Sequence, residues 1–307
     1  MMIRTILVPL DGSAFGEQAL PLALSLARRA KAHVELLHVH TPVQEYSEML
    51  LFDVPLDTKI RKQEKRYLES MIQKVNKTGV APTMALKDGN VPDVINEHAL
   101  ASGADLVVMT THARGPMGRF WLGSVADRLI REMTVPVLFA HPREAPEVKL
   151  DQDVRFQNIL IPLDGSPACE GVLGPTTDLA RVMESQFTLV RVIKPLLPMT
   201  VPMGVGSFGE MAHHMTLEVE TMQENIRKDA AAYLETVAQK LRKDGFHVTT
   251  RVDAEDQPAR AILSIKGMDL VAMETHGRRG LSRFFLGSVA DKVLRGSSAP
   301  VLVCRPK

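Results

Sequence analysis

Residues able to hold an anion occur twice, at matching places in the two halves of the chain. Gly123-Ser124 and Gly287-Ser288 stand inside RFWLGSVADRLIR (Arg119–Arg131) and RFFLGSVADKVLR (Arg283–Arg295), two copies identical at nine of thirteen positions. Each Gly-Ser pair heads an amphipathic run and is read as a helix N-terminus. Such an end presents free N–H groups and the positive end of the dipole, which suits a phosphate. Serine also begins many helices that bind nothing, so the pair alone decides little. Upstream stand DLVVMTTHARGPMG (Asp105–Gly118) and DLVAMETHGRRG (Asp269–Gly280), each an apolar strand running into a small basic loop. Arg278, Arg279 and Arg283 add positive charge to the second loop, and Glu274 opposes it. Asp11 and Asp164 each precede Gly-Ser at the end of an apolar run. A carboxylate there can accept a sugar hydroxyl, although Asp-Gly-Ser is also a routine turn former. His112 and His276 recur at one loop position, but no nucleophilic serine, orienting carboxylate or metal cluster accompanies either. Both are read as packing or hydrogen-bonding side chains, and no catalytic residue or metal site is assigned.

The elements that position these residues repeat in register. Continuous apolar runs at Thr5–Leu10 and Ile159–Leu163 predict buried parallel strands. Helices are expected over Phe15–Lys31 and about Cys169–Glu184, then second strands at His33–Val39 and Gln186–Val192. The intervals from Asp11 to Val39 and from Asp164 to Val192 are equal, so the first βαβ unit is kept whole. Irregular segments follow at Gln44–Asp57 and Pro198–Gly209, then long polar helices over about Thr58–Thr78 and Glu210–Asp244. Gly204–Gly209 matches G-x-G-x-x-G literally, but Pro198 and Pro202 separate it from any strand, and the fingerprint is rejected. Met199, Met203, Met211 and Met215 beside it read as irregular packing or an adaptable apolar surface. Third strands are expected at Ala81–Leu86 and His247–Val252, with short helices from Pro92 and Pro258. Fourth strands at Asp105–Met109 and Asp269–Met273 and fifth strands at Val135–Ala140 and Val301–Cys304 complete each half.

The 307 residues suffice for two ordinary domains, and the repeat says that they are alike. They are expected at 1–142 and 153–307, with a polar, proline-bearing linker at 143–152. A net charge of +1 without a long basic run argues against a nucleic-acid partner. The apolar run at the N-terminus is too short for a signal peptide or a membrane span, and no membrane partner is expected. Cys169 and Cys304 lack metal-ligand spacing and read as ordinary thiols in a reducing, cytoplasmic setting.

A strand followed by G-x-x-G, nine residues and G-[S/T] is the nucleotide-binding signature of the universal stress protein family, and the chain resembles a tandem two-domain member. The C-terminal half carries Gly277, nine residues and Gly287-Ser288, with Glu274 at the first glycine position. The N-terminal half has Thr110 and Ala113 at both leading positions and keeps only Gly123-Ser124. The resemblance implies an α/β fold of two doubly wound domains, each a five-stranded parallel sheet in the order 3-2-1-4-5 with helices on both faces. Ligands of such sheets settle at the C-terminal ends of strands 1 and 4. The site residues implied there are Asp164 for ribose, the backbone at Val192 for adenine, and Gly277, Arg278, Gly287 and Ser288 for phosphates. Asp11, Val39, Gly123 and Ser124 are the weaker N-terminal counterparts. The implied ligand is ATP or AMP, with Mg2+ accompanying ATP. The implied partnership is a pseudo-dimer of the two domains through their last strands, and a further homodimer is left open. The function expected is stress response with an adenine nucleotide as regulatory ligand. A ligand-free interaction module and a slow ATPase are the alternatives; the latter lacks a Walker lysine motif, an acidic metal site and an oriented base.

Overall fold

A computed structural model describes residues 2–42, 54–111, 122–141, 148–196, 208–275 and 286–305. The N-terminal half runs β1 (Thr5–Pro9), α1 (Ala14–Glu17), α2 (Leu20–Ala30), β2 (His33–His40), α3 (Val54–Asn76), β3 (Thr83–Asp88), α4 (Val91–Ala101), β4 (Leu106–Thr110), α5 (Ser124–Glu132) and β5 (Val137–Ala140). The C-terminal half repeats it as β6 (Asn158–Pro162), a 3-10 turn (Ala168–Val172), α6 (Leu173–Met183), β7 (Gln186–Ile193), α7 (Phe208–Lys243), β8 (Val248–Ala254), α8 (Pro258–Ser264), β9 (Leu270–Glu274), α9 (Ser288–Gly296) and β10 (Val301–Cys304). The glycine-rich stretch Gly204-Val205-Gly206-Ser207 lies outside the described residues.

Among the described residues ten strands form one sheet in the order β3-β2-β1-β4-β5-β10-β9-β6-β7-β8. Each half is parallel and ordered 3-2-1-4-5, and the halves join where β5 and β10 pair antiparallel, Leu138 opposite Leu302. Helices cover both faces, which is why β4 and β9 are buried along their whole length and read as unbroken apolar runs. Alternation along the strands divides the core. Ile6 and Val8 join Leu24, Leu68, Leu179 and Leu234 on one face; Leu7 joins Ile95, Leu129, Ile262 and Val293 on the other. Across the seam, Asp153 accepts from Ser25 Oγ at 3.0 Å and from Arg29 Nη2 at 2.7 Å, tying the start of the second half to α2. The Arg29 and Arg155 guanidiniums hold its carboxyl down to about 2.

The crossover helix expected over Phe15–Lys31 is broken, α1 ending at Glu17 and α2 starting at Leu20. Pro21 has no N–H to donate to the Glu17 carbonyl four residues back, and Pro175 fails Gly171 in the same way. In the second half the interruption takes the form of the 3-10 turn before α6.

Candidate functional site

In both halves strand order reverses, between β1 and β4 and between β6 and β9, and it is at such a reversal that a parallel α/β sheet leaves a crevice beyond its strand ends. Asp11 and Asp164 follow β1 and β6. Asp11 Oδ1 accepts Ser13 N at 3.0 Å and Ser13 Oγ at 2.7 Å; Asp164 Oδ1 accepts Ser166 N at 2.8 Å. Gly12 and Gly165 turn the corner at φ 82° and 86°, a conformation that glycine adopts without a Cβ penalty. Both aspartates are therefore turn formers through one oxygen. Asp11 Oδ2 is buried without a partner and remains an acceptor for a hydroxyl.

Val39 and Val192 lie one residue before the ends of β2 and β7. Leu10 N donates to Leu37 O and Leu163 N to Val190 O, closing the ladders on that side. In a parallel strand alternate residues address the same neighbour. The backbone of Val39 and Val192 therefore faces past the ends of β1 and β6, presenting one donor and one acceptor to the crevice.

Opposite stand the starts of α5 and α9. Gly123 and Gly287 are the N-caps, in extended conformation and with no side-chain cap, and Ser124 and Ser288 are the first helical residues. Gly123 N donates to Thr111 O at 2.9 Å and Gly287 N to Thr275 O at 2.7 Å, so each helix start is fastened to the end of its strand. A glycine cap leaves first-turn N–H groups without a side-chain acceptor, the condition under which a helix start can hold an anion. Gly277, Arg278, Arg279, Arg283, His276, His112 and Ala113 lie outside the described residues.

Glu274 ends β9 and is 6% exposed, with neither carboxylate oxygen hydrogen-bonded. It fits a notch left by Gly171, where an added Cβ would lie 2.1 Å from Oε1. The counterparts in the other half are Thr110 and Gln18, so bulk has moved from one side of the contact to the other. The carboxyl thus points under the 3-10 turn, to the sheet face opposite α9. Burial pushes it up to about 7. On the adjoining strand Cys304, paired in register with Glu274, is pushed up by burial and then by that carboxylate. Cys169 is also buried, and burial raises its thiol, so neither cysteine is a ready thiolate.

Two further groupings lie near the strand ends. Tyr67 and Tyr233 occupy equivalent places. Tyr233 Oη donates to Glu170 Oε1 at 3.2 Å beneath the Arg191 guanidinium, and burial raises both phenols. In the N-terminal half alone, His38 Nδ1 meets Leu10 O at 2.7 Å, and His40 spans Glu64 Oε2 at 2.7 Å and Asp57 Oδ1 at 3.1 Å. The alternation of HVELLHVH puts both imidazoles on one strand face, which was a legible signal. Both nitrogens of His40 are engaged, and among the described residues no group of three such side chains is arranged for a metal. Asp105 and Asp269 act elsewhere, each accepting two backbone N–H bonds at the opposite ends of β1 and β6. No helix among the described residues is long and apolar enough to cross a membrane.

Comparison with known proteins matches the sequence model of the universal stress protein family to residues 2–141 and again to residues 155–305. A universal stress protein of Mycolicibacterium smegmatis is 27% identical over 316 residues, covering 98% of this chain and 97% of that protein. One from Thermus aquaticus, in the QAH/OAS sulfhydrylase 3′ region, is 32% identical over 138 residues, covering 45% of this chain and 98% of its own. Among solved structures, a universal stress protein from Archaeoglobus fulgidus superposes with a TM-score of 0.68 at 16% identity, over 99% of this chain and 97% of that one.

Proposed function

The chain belongs to the universal stress protein family, and from that premise we propose that it binds an adenine nucleotide, ATP or AMP, as a regulatory ligand in stress response, chiefly in its C-terminal half. The observation that carries this reading is the uncapped start of α9, fastened through Gly287 to the end of β9, across a crevice from Asp164 and the outward-facing backbone of Val192. These groups match what such a ligand asks for: N–H donors for phosphate, an acceptor for ribose, and a backbone donor and acceptor for the adenine edge. The sequence adds Gly277, Arg278 and the neighbouring arginines to the phosphate side. Mg2+ would accompany ATP through the phosphates.

Glu274 bears on the choice of half. A carboxylate beside a phosphate would oppose binding, but here it turns under the 3-10 turn against Gly171. The uncompensated loss is on the other side, where Thr110 and Ala113 replace glycines that let backbone approach a phosphate. On this reading the nucleotide acts as a regulatory ligand, with a slow ATPase as the less favoured alternative. Mass spectrometry of nucleotide released from denatured, freshly purified protein tests this reading. ATP or AMP at a substantial fraction of the protein supports it, and no uptake after incubation with either contradicts it.

A further inference from the structure

The two halves also differ beside the candidate site, in the groove between their last two helices. In the N-terminal half Arg128 closes it. Its Nη2 donates to Asp93 Oδ1 at 2.6 Å, its Nη1 to Asn90 Oδ1 at 3.1 Å and its Nε to Glu132 Oε1 at 3.0 Å, bolting α5 to the start of α4. In the C-terminal half the corresponding residues are Lys292, Ala259, Asp256 and Gly296. Two of the partners have lost their side-chain functional groups, and Lys292 makes no ion pair among the described residues. Gly296 also lets Leu263 come so near that an added Cβ would lie 2.7 Å from it. A cavity of about 620 Å³ opens where the arginine would have stood, and Ser288, the first residue of α9, forms part of its wall.

The lining is amphipathic. Pro258, Ala259 and the partly exposed Leu263 form an apolar floor, and Arg260, Lys292 and Asp256 form the rim. Arg260, like Lys292, is free of any ion pair among the described residues. Two unspent cations favour an anion, and an apolar floor edged by a guanidinium suits the face of a base. Asp256 offers an acceptor to sugar hydroxyls. The volume exceeds what a phosphate group needs and falls in the range of small-molecule sites, roughly 300–1,000 Å³.

We propose that this groove is a second nucleoside subsite, so that the C-terminal half takes a dinucleoside polyphosphate, two nucleosides joined by a phosphate chain that passes the start of α9. The inference rests on the proposed nucleotide site at Gly287-Ser288 and extends it in one direction. In the N-terminal half Arg128 and its three partners stand at the equivalent place.

The test is calorimetric titration of ATP and of diadenosine tetraphosphate, ligands of similar charge, into the full chain and into the double variant Arg260→Met/Lys292→Met. Both side chains are exposed, so the variant should fold, as circular dichroism can verify. The wild type should hold the diadenosine ligand about tenfold tighter than ATP, a margin within reach of one or two charge-assisted contacts. The variant should lose that margin while its ATP affinity stays within about twofold, since neither cation belongs to the ATP site. Equal affinities in the wild type, or a margin that survives the double substitution, would overturn the subsite and leave the nucleotide reading standing. Failure of the wild type to bind either ligand would overturn the subsite, and failure to bind AMP as well in a third titration would overturn the nucleotide reading with it.

Discussion

Replacing Glu274 with glutamine should remove much of the pH dependence of this protein's stability. The carboxyl is buried under the 3-10 turn with no hydrogen-bond partner, and burial raises it from 4.5 to about 7. A carboxyl raised on folding binds its proton more tightly in the native state than in the unfolded chain. Its contribution is therefore fully present below about pH 4.5 and is lost as pH rises through about 7. The gap between those values, at about 1.4 kcal/mol per pH unit, sets a ceiling near 3 kcal/mol. Residual solvent access at the end of β9 should reduce it to about 2 kcal/mol. Glutamine has nearly the same shape and fits the Gly171 notch, but it does not titrate. Urea unfolding between pH 5 and pH 9 should show the wild type losing about 2 kcal/mol relative to Glu274→Gln across pH 5–8. Parallel stability profiles for the two proteins would refute the argument, because they would mean that Glu274 ionises in the native state as easily as in the unfolded one.

The notch itself predicts a compensating pair: Gly171→Ala should cost about 1–3 kcal/mol by overpacking against the Glu274 carboxyl, and in a Glu274→Thr background most of that cost should disappear in a double-mutant cycle. At the seam, Leu302→Ala should cost about 2–5 kcal/mol, since Leu302 is 1% exposed opposite Leu138. Thermal unfolding monitored from both halves should shift together, and a shift confined to the C-terminal half would deny that the β5–β10 pairing couples them. ATP turnover should stay far below about 1 per second; a faster steady-state rate that vanishes in His276→Ala would show an oriented base that the described residues do not reveal.

The repeat made most of the fold legible. Equal spacing from Asp11 to Val39 and from Asp164 to Val192 fixed two βαβ units, and unbroken apolar runs marked β1, β4, β6 and β9 because helices cover both faces of a parallel sheet. The third strand begins two residues later than the expected Ala81: the ladder pairs Thr83 with Glu35 and runs on to Asp88 opposite His40. The helix breaks at Pro21 and Pro175 were visible as prolines and outweighed by the apolar spacing around them. At the site, the strand ends and the two Gly-Ser helix starts could be located because glycine and aspartate have positional meaning there. The groove opened by losing Asp93 and Glu132 as Ala259 and Gly296 could not, since it depends on what one arginine reaches across two helices. The notch that takes Glu274 was hidden for the same reason, as Gly171 and Glu274 are far apart in sequence and meet only in the folded chain.

The central claim, that an adenine nucleotide is held mainly by the C-terminal half, is tested most directly by titrating ATP and AMP calorimetrically into the wild type, Gly277→Val and the matched Ala113→Val. One tight site that survives Ala113→Val and is weakened at least about tenfold by Gly277→Val is the predicted result, because a Cβ and its methyls at residue 277 would hold the backbone donors off the phosphate. Loss of binding in Ala113→Val with Gly277→Val unaffected would reverse the assignment, and no heat in any of the three proteins would contradict nucleotide binding altogether.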